Sequence, residues 1–241
     1  MIHIFVGHAM NKNEKFTLQC ADCDSKYKRS LKWLENAHNL YCNKCQVDLD
    51  IDEIKEKALE LQKRLPNIKV LAGAEGMNSL ASYDNIDLVV NAIVGIAGLD
   101  PTLKALALGR RVALANKESL VCAGQLVMET AAKHNGTIIP IDSEHNALFQ
   151  CLQGEKKSSI KKLILTASGG PFRNYSQEEL KKVTREDALN HPTWSMGSKI
   201  TVDSSTLMNK GFEVFAAHWL FDIPVDQIEV LVHPQSIIHG L

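Results

Sequence analysis

Short apolar runs alternate with longer amphipathic segments over residues 68–166. Apolar runs of about four to eight residues predict strands, whereas apolar positions that recur every three or four residues predict helices. Glu118–Lys133 shows the helical spacing most clearly. The strand candidates are Ile68–Ala72, Ile86–Ala92, Arg111–Ala115, Thr137–Ile141 and Lys162–Thr166. Alternation of strands and helices indicates βαβ units with a mostly parallel sheet, so we expect an α/β fold.

The composition is that of an ordinary protein with a hydrophobic core, since 45% of the 241 residues are hydrophobic and 23% are charged. A net charge of −1 gives no general attraction for nucleic acid or for an anionic membrane, so neither partner is favoured. No apolar run approaches the ~20 residues of a membrane span, and the opening MIHIFVGHAM lacks the basic start of a signal peptide. We therefore expect a cytoplasmic protein, in which cysteines serve as thiols or metal ligands.

Four cysteines form two CxxC pairs that are separated by eighteen residues. They are Cys20, Cys23, Cys42 and Cys45. Two such pairs predict a structural Zn²⁺ site, because each pair presents two thiolates and four thiolates complete a tetrahedron. Two alternatives stay open. The thiols are reduced and the basic residues between the pairs lie on a solvated helix, or this basic and aromatic ribbon contacts nucleic acid or a protein.

Two predicted strands end in small or charged residues. After the strand at 86–92, Gly95 and Gly98 would let the backbone approach a cofactor, but they equally suit close packing of a helix on a strand. After the strand at 111–115, Lys117 could hold an anion, whereas Glu118 could be a first-turn acid that the helix dipole favours.

A third strand end carries two carboxylates. Asp142 and Glu144 flank Ser143 directly after the predicted strand 137–141. Carboxylates at a strand end can bind a hard divalent cation and orient substrate oxygens on it. The alternative is that Asp142 and Ser143 only cap a helix.

Two further stretches suit an anion. The turn Ser168-Gly169-Gly170-Pro171 could offer backbone amides as a small nest, or be an ordinary loop. The segment 191–213, HPTWSMGSKITVDSSTLMNKGFE, predicts a short apolar strand and then a helix that starts near Ser204. Its hydroxyls, Asn209 and Lys210 suit a phosphate. The alternative is that Ser204 only caps the helix, while Asn209 and Lys210 lie on its solvent-exposed face.

Six stretches together resemble the 1-deoxy-D-xylulose 5-phosphate reductoisomerase family, in the family's order. They are NAIVGIAGL, LANKESLV, IIPIDSEHNALFQCL, LTASGGPFR, HPTWSMGSKITVDSSTLMNKGFEV and HPQSIIHG. The resemblance runs from about Ile68 to Leu241. It implies an NADP-dependent oxidoreductase and isomerase of non-mevalonate isoprenoid synthesis, which makes 2-C-methyl-D-erythritol 4-phosphate. The implied reaction is a metal-assisted rearrangement to an aldehyde, followed by hydride transfer from NADPH.

The resemblance also implies a role for each matching residue. Asp142, Glu144 and Glu213 would bind Mg²⁺ or Mn²⁺, with Co²⁺ as a further candidate. The substrate would contact Lys117, Ser143, Glu144, Ser168, His191, Ser204, Asn209, Lys210 and Glu213. Of these, Ser168, His191, Ser204, Asn209 and Lys210 would surround the phosphate. The catalytic group would be Lys117, Asp142, Glu144, His191 and Glu213. NADPH would contact Asn116, Glu118 and Gly197, and a lid would carry Trp194 and Met196.

The sequence departs from the family's pattern in two places. No GxTGxxG run for the NADPH phosphates is present, and a cysteine-paired segment stands in that place; the family also continues beyond HPQSIIHG. We expect a zinc-ribbon-like segment over 1–50, a partial Rossmann-like NADPH-binding domain over 51–142 and a partial α+β catalytic domain over 143–241. The family is typically a homodimer and takes a small phosphorylated sugar. The alternative is a non-catalytic zinc-binding chimera or fragment that retains the fold.

Overall fold

The computed structural model describes residues 15–19, 26–30, 51–192 and 196–241. The strands are β1 (Lys15–Gln19), β2 (Lys26–Ser30), β3 (Leu88–Asn91), β4 (Arg111–Leu114), β5 (Thr137–Pro140), β6 (Leu163–Ala167) and β7 (Ile228–Val232). The helices are α1 (Ile51–Arg64), α2 (Gly73–Ala81), α3 (Leu99–Ala107), α4 (Lys117–His134), α5 (Ser143–Cys151), α6 (Gln177–Leu180), α7 (Arg185–Ala188), α8 (Ser198–Ser205) and α9 (Met208–Phe221). Across these residues, no helix is both long enough and apolar enough to cross a membrane.

The described residues form two compact units, the first of which comprises those up to Asn116 together with Thr130–Thr137. β1 and β2 form an antiparallel pair, and β3 and β4 a parallel pair. The sheet order is β3–β4–β5, and β5 begins in this unit, where the Thr137 N–H donates to the Arg110 carbonyl (3.1 Å). Leu106 of α3 and Val112 of β4 are fully buried in its core.

The second unit comprises Lys117–Glu129 and Ile138–Leu241. β6 and β7 pair in parallel, with Leu163 opposite Ile228 and Ala167 opposite Val232. On the other side of β6, Leu241 and Ile164 exchange two backbone hydrogen bonds (2.8 and 3.0 Å). The core is formed by Leu148, Leu163, Leu165, Ala217, Ile223 and Ile228. Burial of one such leucine contributes about 1.5–3 kcal/mol, so this core fixes α5 and α9 against β6 and β7.

One surface of the second unit is apolar. Along β7, Val230, Leu231 and Val232 each expose about half of their surface (45%, 53% and 47%), and Ile237 exposes 76%. β7 pairs with β6 along one edge, and within the described residues no strand pairs with its other edge. β7 is therefore an apolar edge strand.

The predicted strands at 86–92, 111–115, 137–141 and 162–166 are confirmed as β3, β4, β5 and β6, with ends that differ by at most two residues. The strand predicted at Ile68–Ala72 is wrong, because this segment has no strand pairing. The backbone groups of this segment bond to the side chain of Gln62 instead. The Gln62 amide donates to the Ile68 carbonyl (2.7 Å) and accepts from the Val70 N–H (2.8 Å). One amide side chain therefore makes backbone hydrogen bonds of the kind that a neighbouring strand would make.

The apolar strand expected between His191 and Glu213 is also wrong, because residues 198–205 form α8. Lys199 and Asp203 pair one turn apart (2.6 Å), and the Thr201 hydroxyl donates to the Gly197 carbonyl (2.8 Å). Both contacts favour a helix over a strand. Ser204 lies in the last turn of α8 rather than at a helix start, and α9 follows after Leu207 in a left-handed conformation (φ 59°).

The predicted helix at Glu118–Lys133 is confirmed as α4, but it bends at Ala123, whose φ of −147° and ψ of 36° are not helical. The next residue, Gly124, lies directly against the indole ring of Trp219 from α9, so that a β-carbon there would overlap the ring. The bend and the missing side chain at Gly124 thus bring α4 and α9 into close contact.

We predict that Gly124→Ala destabilises the protein by about 1–3 kcal/mol, since the added methyl group must displace Trp219. The matched control is Gly211→Ala in α9, where a β-carbon would meet nothing within 4 Å. Because alanine favours a helix over glycine, this control should stabilise the protein by up to about 1 kcal/mol. Urea unfolding measures both. Equal effects of the two substitutions would contradict the packing described.

Candidate metal and anion site

The loop between β5 and α5 carries the first part of the site. Asp142 immediately precedes α5, but its side chain makes no cap hydrogen bond. Its carboxylate lies instead 2.6 Å from the ammonium of Lys117 and 3.2 Å from Nδ1 of His145. The Ser143 hydroxyl donates to Glu144 (2.7 Å). The geometry thus disfavours the cap interpretation of Asp142.

Glu213 of α9 completes a group of three carboxylates. One oxygen from each of Asp142, Glu144 and Glu213 lies within 4.8 Å of the others. Glu213 is 1% exposed, so its charge is removed from solvent. Three carboxylate oxygens at this separation are the donors that Mg²⁺ and Mn²⁺ favour.

Two buried lysines neutralise part of this charge. Lys117, the first residue of α4, donates to Glu213 Oε1 (2.7 Å) and to Asn209 Oδ1 (3.0 Å). Lys210 of α9 donates to Glu144 Oε1 (2.9 Å) and pairs with Glu213 Oε2. Each lysine therefore bridges two of the carboxylates.

These contacts keep Asp142 and Glu144 ionised. Burial alone raises the pKa of Asp142, but the contact with His145 Nδ1 and the charge of Lys117 outweigh it and hold that pKa well below its usual range. Burial likewise opposes ionisation of Glu144, and the charge of Lys210 lowers its pKa overall. Burial of Lys117 is outweighed by Asp142 and Glu213, which raise its pKa.

The three carboxylates fit a divalent cation. Asp142 Oδ2 and Glu213 Oε2 are buried, and neither accepts a hydrogen bond of regular geometry, although a lysine ammonium lies beside each. Three negative charges against two positive ones leave the cluster with net negative charge. Oxygens without regular hydrogen bonds, together with this excess charge, are what a bound Mg²⁺ or Mn²⁺ would satisfy.

A small polar pocket adjoins the carboxylates. Its lining includes Ser168, Gly169, Ser204, Asn209 and Lys210. Gly169 and the residue after it have positive φ angles (91° and 67°), which glycine adopts at little cost. A β-carbon on Gly170 would collide with the Ser204 carbonyl, so glycine lets this loop approach the end of α8. Hydroxyls, an amide and an ammonium converge here on a space that suits an anion.

His191 lies beside this pocket. Its Nε2 is 3.3 Å from the Ser168 hydroxyl, and the Arg173 guanidinium donates to the Ser168 carbonyl (3.0 Å). Burial and the positive charge of Arg173 lower the pKa of His191 from its ordinary 6.5. The imidazole is therefore mainly neutral at neutral pH.

The three residues predicted to contact NADPH are divided between the two units. Asn116, in the first unit, donates through its side-chain amide to the Gly95 carbonyl (2.8 Å) and to the Ile93 carbonyl, so it orders the turn before α3. Glu118, in the second unit, pairs with Lys199 (2.9 Å). Gly197 precedes α8 and has open space where a β-carbon would lie.

Some predictions fall on residues that the structure does not describe. They are Cys20, Cys23, Cys42, Cys45 and Trp194. The zinc site therefore stays a prediction.

Sequence reasoning missed His145. Its ring is buried, with Nδ1 facing Asp142 and Nε2 2.9 Å from the Glu213 main-chain carbonyl. It thus bridges the β5–α5 loop and α9. The only sequence signal was its position three residues after Asp142, which places both on one side of a helical turn.

Comparison with known proteins identifies the family. Residues 13–124 match the family model described as 1-deoxy-D-xylulose 5-phosphate reductoisomerase, and residues 138–221 match that of the reductoisomerase C-terminal domain. The chain is 59% identical over 185 residues to the reductoisomerase of Protochlamydia amoebophila and 57% identical over 174 residues to that of a Geobacillus species. The chain belongs to the 1-deoxy-D-xylulose 5-phosphate reductoisomerase family.

Solved reductoisomerase structures agree with this assignment. One, in complex with NADPH, fosmidomycin and magnesium, is 46% identical with a TM-score of 0.72, over 77% of this chain and 49% of that one. The Zymomonas mobilis reductoisomerase in complex with NADPH is 44% identical with a TM-score of 0.70, over 77% and 48%. The curated alignments cover 77% of this chain and 48% of the Protochlamydia protein, and 72% and 46% for Geobacillus. The chain thus spans about half the length of these reductoisomerases.

The match of the first family model starts at residue 13. This match therefore includes the cysteine segment, which lies before the six stretches on which the resemblance to the family was based.

We predict that Arg173→Met raises the pKa of His191 towards 6.5, because it removes the nearby positive charge. An NMR titration of the imidazole measures this, with His191→Gln to assign the signal and Lys181→Met as a control for loss of a cation that has no part in the lowered pKa. Because the folded-state pKa is lowered, this histidine's contribution to stability is present above pH ~6.5 and is lost as the pH falls through the folded-state pKa. A pKa of His191 at or above 6.5 in the unmodified chain would contradict the lowering of this pKa by burial and Arg173.

Proposed function

We propose that this chain carries the metal-binding and substrate-binding part of an NADP-dependent reductoisomerase that converts 1-deoxy-D-xylulose 5-phosphate to 2-C-methyl-D-erythritol 4-phosphate. The observation that carries the proposal is the group Asp142, Glu144 and Glu213, gathered within 4.8 Å beside a pocket of hydroxyls and Lys210. This pairing suits a substrate with adjacent carbonyl and hydroxyl oxygens at one end and a phosphate at the other. The membership of the family supports the same reaction.

The carboxylates would hold Mg²⁺ or Mn²⁺, with Co²⁺ as a further candidate. When bound, such an ion polarises a carbonyl and stabilises negative charge on the oxygens of the rearranging substrate. Lys117 would donate to a substrate oxygen, because its ammonium already lies among the carboxylates and its raised pKa keeps it protonated. Ser143 would orient Glu144 and the substrate through its hydroxyl. These residues fix the oxygens whose carbon skeleton rearranges before hydride transfer.

The phosphate would occupy the pocket on the other side of Lys210. Ser168, Ser204 and Asn209 would donate neutral hydrogen bonds, and Lys210 would supply the compact positive charge. His191, held beside Ser168, would donate from its ring. A firmly held phosphate fixes the reacting end of the same molecule, and a misplacement of even ~1 Å can cost about a hundredfold in rate.

The remaining predictions belong to this proposal as well. Asn116, Glu118 and Gly197 would contact NADPH, and residues 51–142 would form a partial Rossmann-like domain. The solved relatives that contain NADPH support the cofactor. A cytoplasmic setting is expected from the sequence, a homodimer from the family, and a zinc-ribbon-like segment from the four cysteines.

We predict that the chain binds Mn²⁺ and that Glu213→Gln weakens this binding at least tenfold, since it removes one anionic ligand and unbalances Lys117 and Lys210. Electron paramagnetic resonance of free Mn²⁺ measures the affinity. The control is Glu229→Gln, an exposed carboxylate on β7 that pairs with Lys162 (2.7 Å). Equal Mn²⁺ affinities of the two variants would remove the metal site from the proposal.

The decisive experiment measures NADPH oxidation at 340 nm with 1-deoxy-D-xylulose 5-phosphate and Mn²⁺. We expect oxidation that depends on both, and a loss of at least a hundredfold in Lys117→Met, which lacks the ammonium among the carboxylates. Lys162→Met is the control for loss of a lysine at a distance from the site. Binding of Mn²⁺ and of fosmidomycin without any NADPH oxidation would overturn the catalytic proposal and favour a non-catalytic member of the family.

A further inference from the structure

Lys199, the second residue of α8, connects three helices of the second unit. Its ammonium lies 2.9 Å from Glu118 of α4 and 2.6 Å from Asp203 of α8. It also lies 5.1 Å from the ring centroid of Phe212 in α9, a distance typical of a cation–π contact. Lys199 is 42% exposed and has no place among the residues that the resemblance implied.

Each of these three partners is the chain neighbour of a site residue. Glu118 follows Lys117, Asp203 precedes Ser204, and Phe212 precedes Glu213. Successive residues on a helix point about 100° apart, so a side chain that holds one residue fixes the direction of the next. One ammonium therefore sets the helices that present a lysine, a hydroxyl and a carboxylate to the site.

We propose that Lys199 is a positioning residue, which holds the starts of α4 and α9 and the end of α8 in the arrangement that joins the metal end of the site to its anion pocket. The proposal rests on the proposed function, which assigns a metal to the carboxylates and a phosphate to the pocket. The pairing with Asp203 and Glu118 outweighs partial burial and raises the pKa of Lys199, so the contact persists over the whole physiological pH range. Lys199 does not itself enter the pocket lining.

Lys199→Met tests the proposal, because it removes the charge and keeps most of the apolar stem. The matched control is Lys162→Met, whose lysine is also 42% exposed and pairs with one carboxylate, Glu229, at 2.7 Å. Lys199→Arg keeps the positive charge and the ring contact, and it should behave as the unmodified chain does. Phe212→Leu removes only the ring face and should give a partial effect.

The first measurement is amide hydrogen exchange, without ligand, over residues 117–123, 198–205 and 208–214. In Lys199→Met we expect exchange to become roughly fivefold faster in all three segments, since several weak contacts are lost together. Lys162→Met should leave the three segments unchanged. Unchanged exchange in Lys199→Met would overturn the proposal.

The second measurement is the Mn²⁺ affinity of the same variants. Loss of a cation near carboxylates would by charge alone tighten Mn²⁺ binding, whereas loss of positioning should weaken it about fivefold. Weaker binding that Lys199→Arg restores supports the proposal, and unchanged or tighter binding overturns it. An unmodified chain that binds no Mn²⁺ contradicts the proposed metal site, while the exchange comparison still decides whether Lys199 holds the three helices.

Discussion

Charge neutralisation by Lys117 and Lys210 is the interaction on which the candidate site depends. Three carboxylates within 4.8 Å repel one another, and each of the two lysines bridges a pair of them. Buried ion pairs bring little net stability, but loss of one partner from such a pair costs about 3–5 kcal/mol, because a charge is left buried without compensation. The loop before α5, the start of α4 and the first turns of α9 are therefore held together as one electrostatic unit.

The two ends of the candidate site share a single helix. Asn209 and Lys210 line the anion pocket, and Glu213 lies one turn further along α9. One helical turn rises about 5.4 Å, so the backbone of α9 sets the separation between the metal ligands and the phosphate groups. Asn209 also donates to Glu213 Oε1 (2.6 Å), which links the two ends through side chains as well. The fixed geometry of α9 thus limits the length of a substrate that can reach both the metal ligands and the anion pocket.

The sequence predicted the parts of this arrangement that are local. Asp142 and Glu144 stand out because they follow an apolar strand, and that pattern is enough to expect carboxylates at a sheet edge. Glu213 could not be found in this way, since nothing near it in the chain indicates that α9 returns to α5; only the family resemblance assigned it. The strand predicted at Ile68–Ala72 failed because the competing partner, the Gln62 side chain, is invisible to periodicity. Lys199 escaped notice for a similar reason, since its partners lie on three different helices.

The apolar edge of β7 has a consequence for the behaviour of the chain in solution. Within the part of the chain that the structure describes, one edge of β7 pairs with no strand, and Val230, Leu231 and Val232 are exposed, so this edge offers backbone groups and apolar side chains to a second strand. Such an edge favours pairing between molecules, so the fraction of single chains should fall as protein concentration rises. Self-association of the chain then depends on protein concentration and on whether a partner covers this strand, and not on the carboxylate cluster.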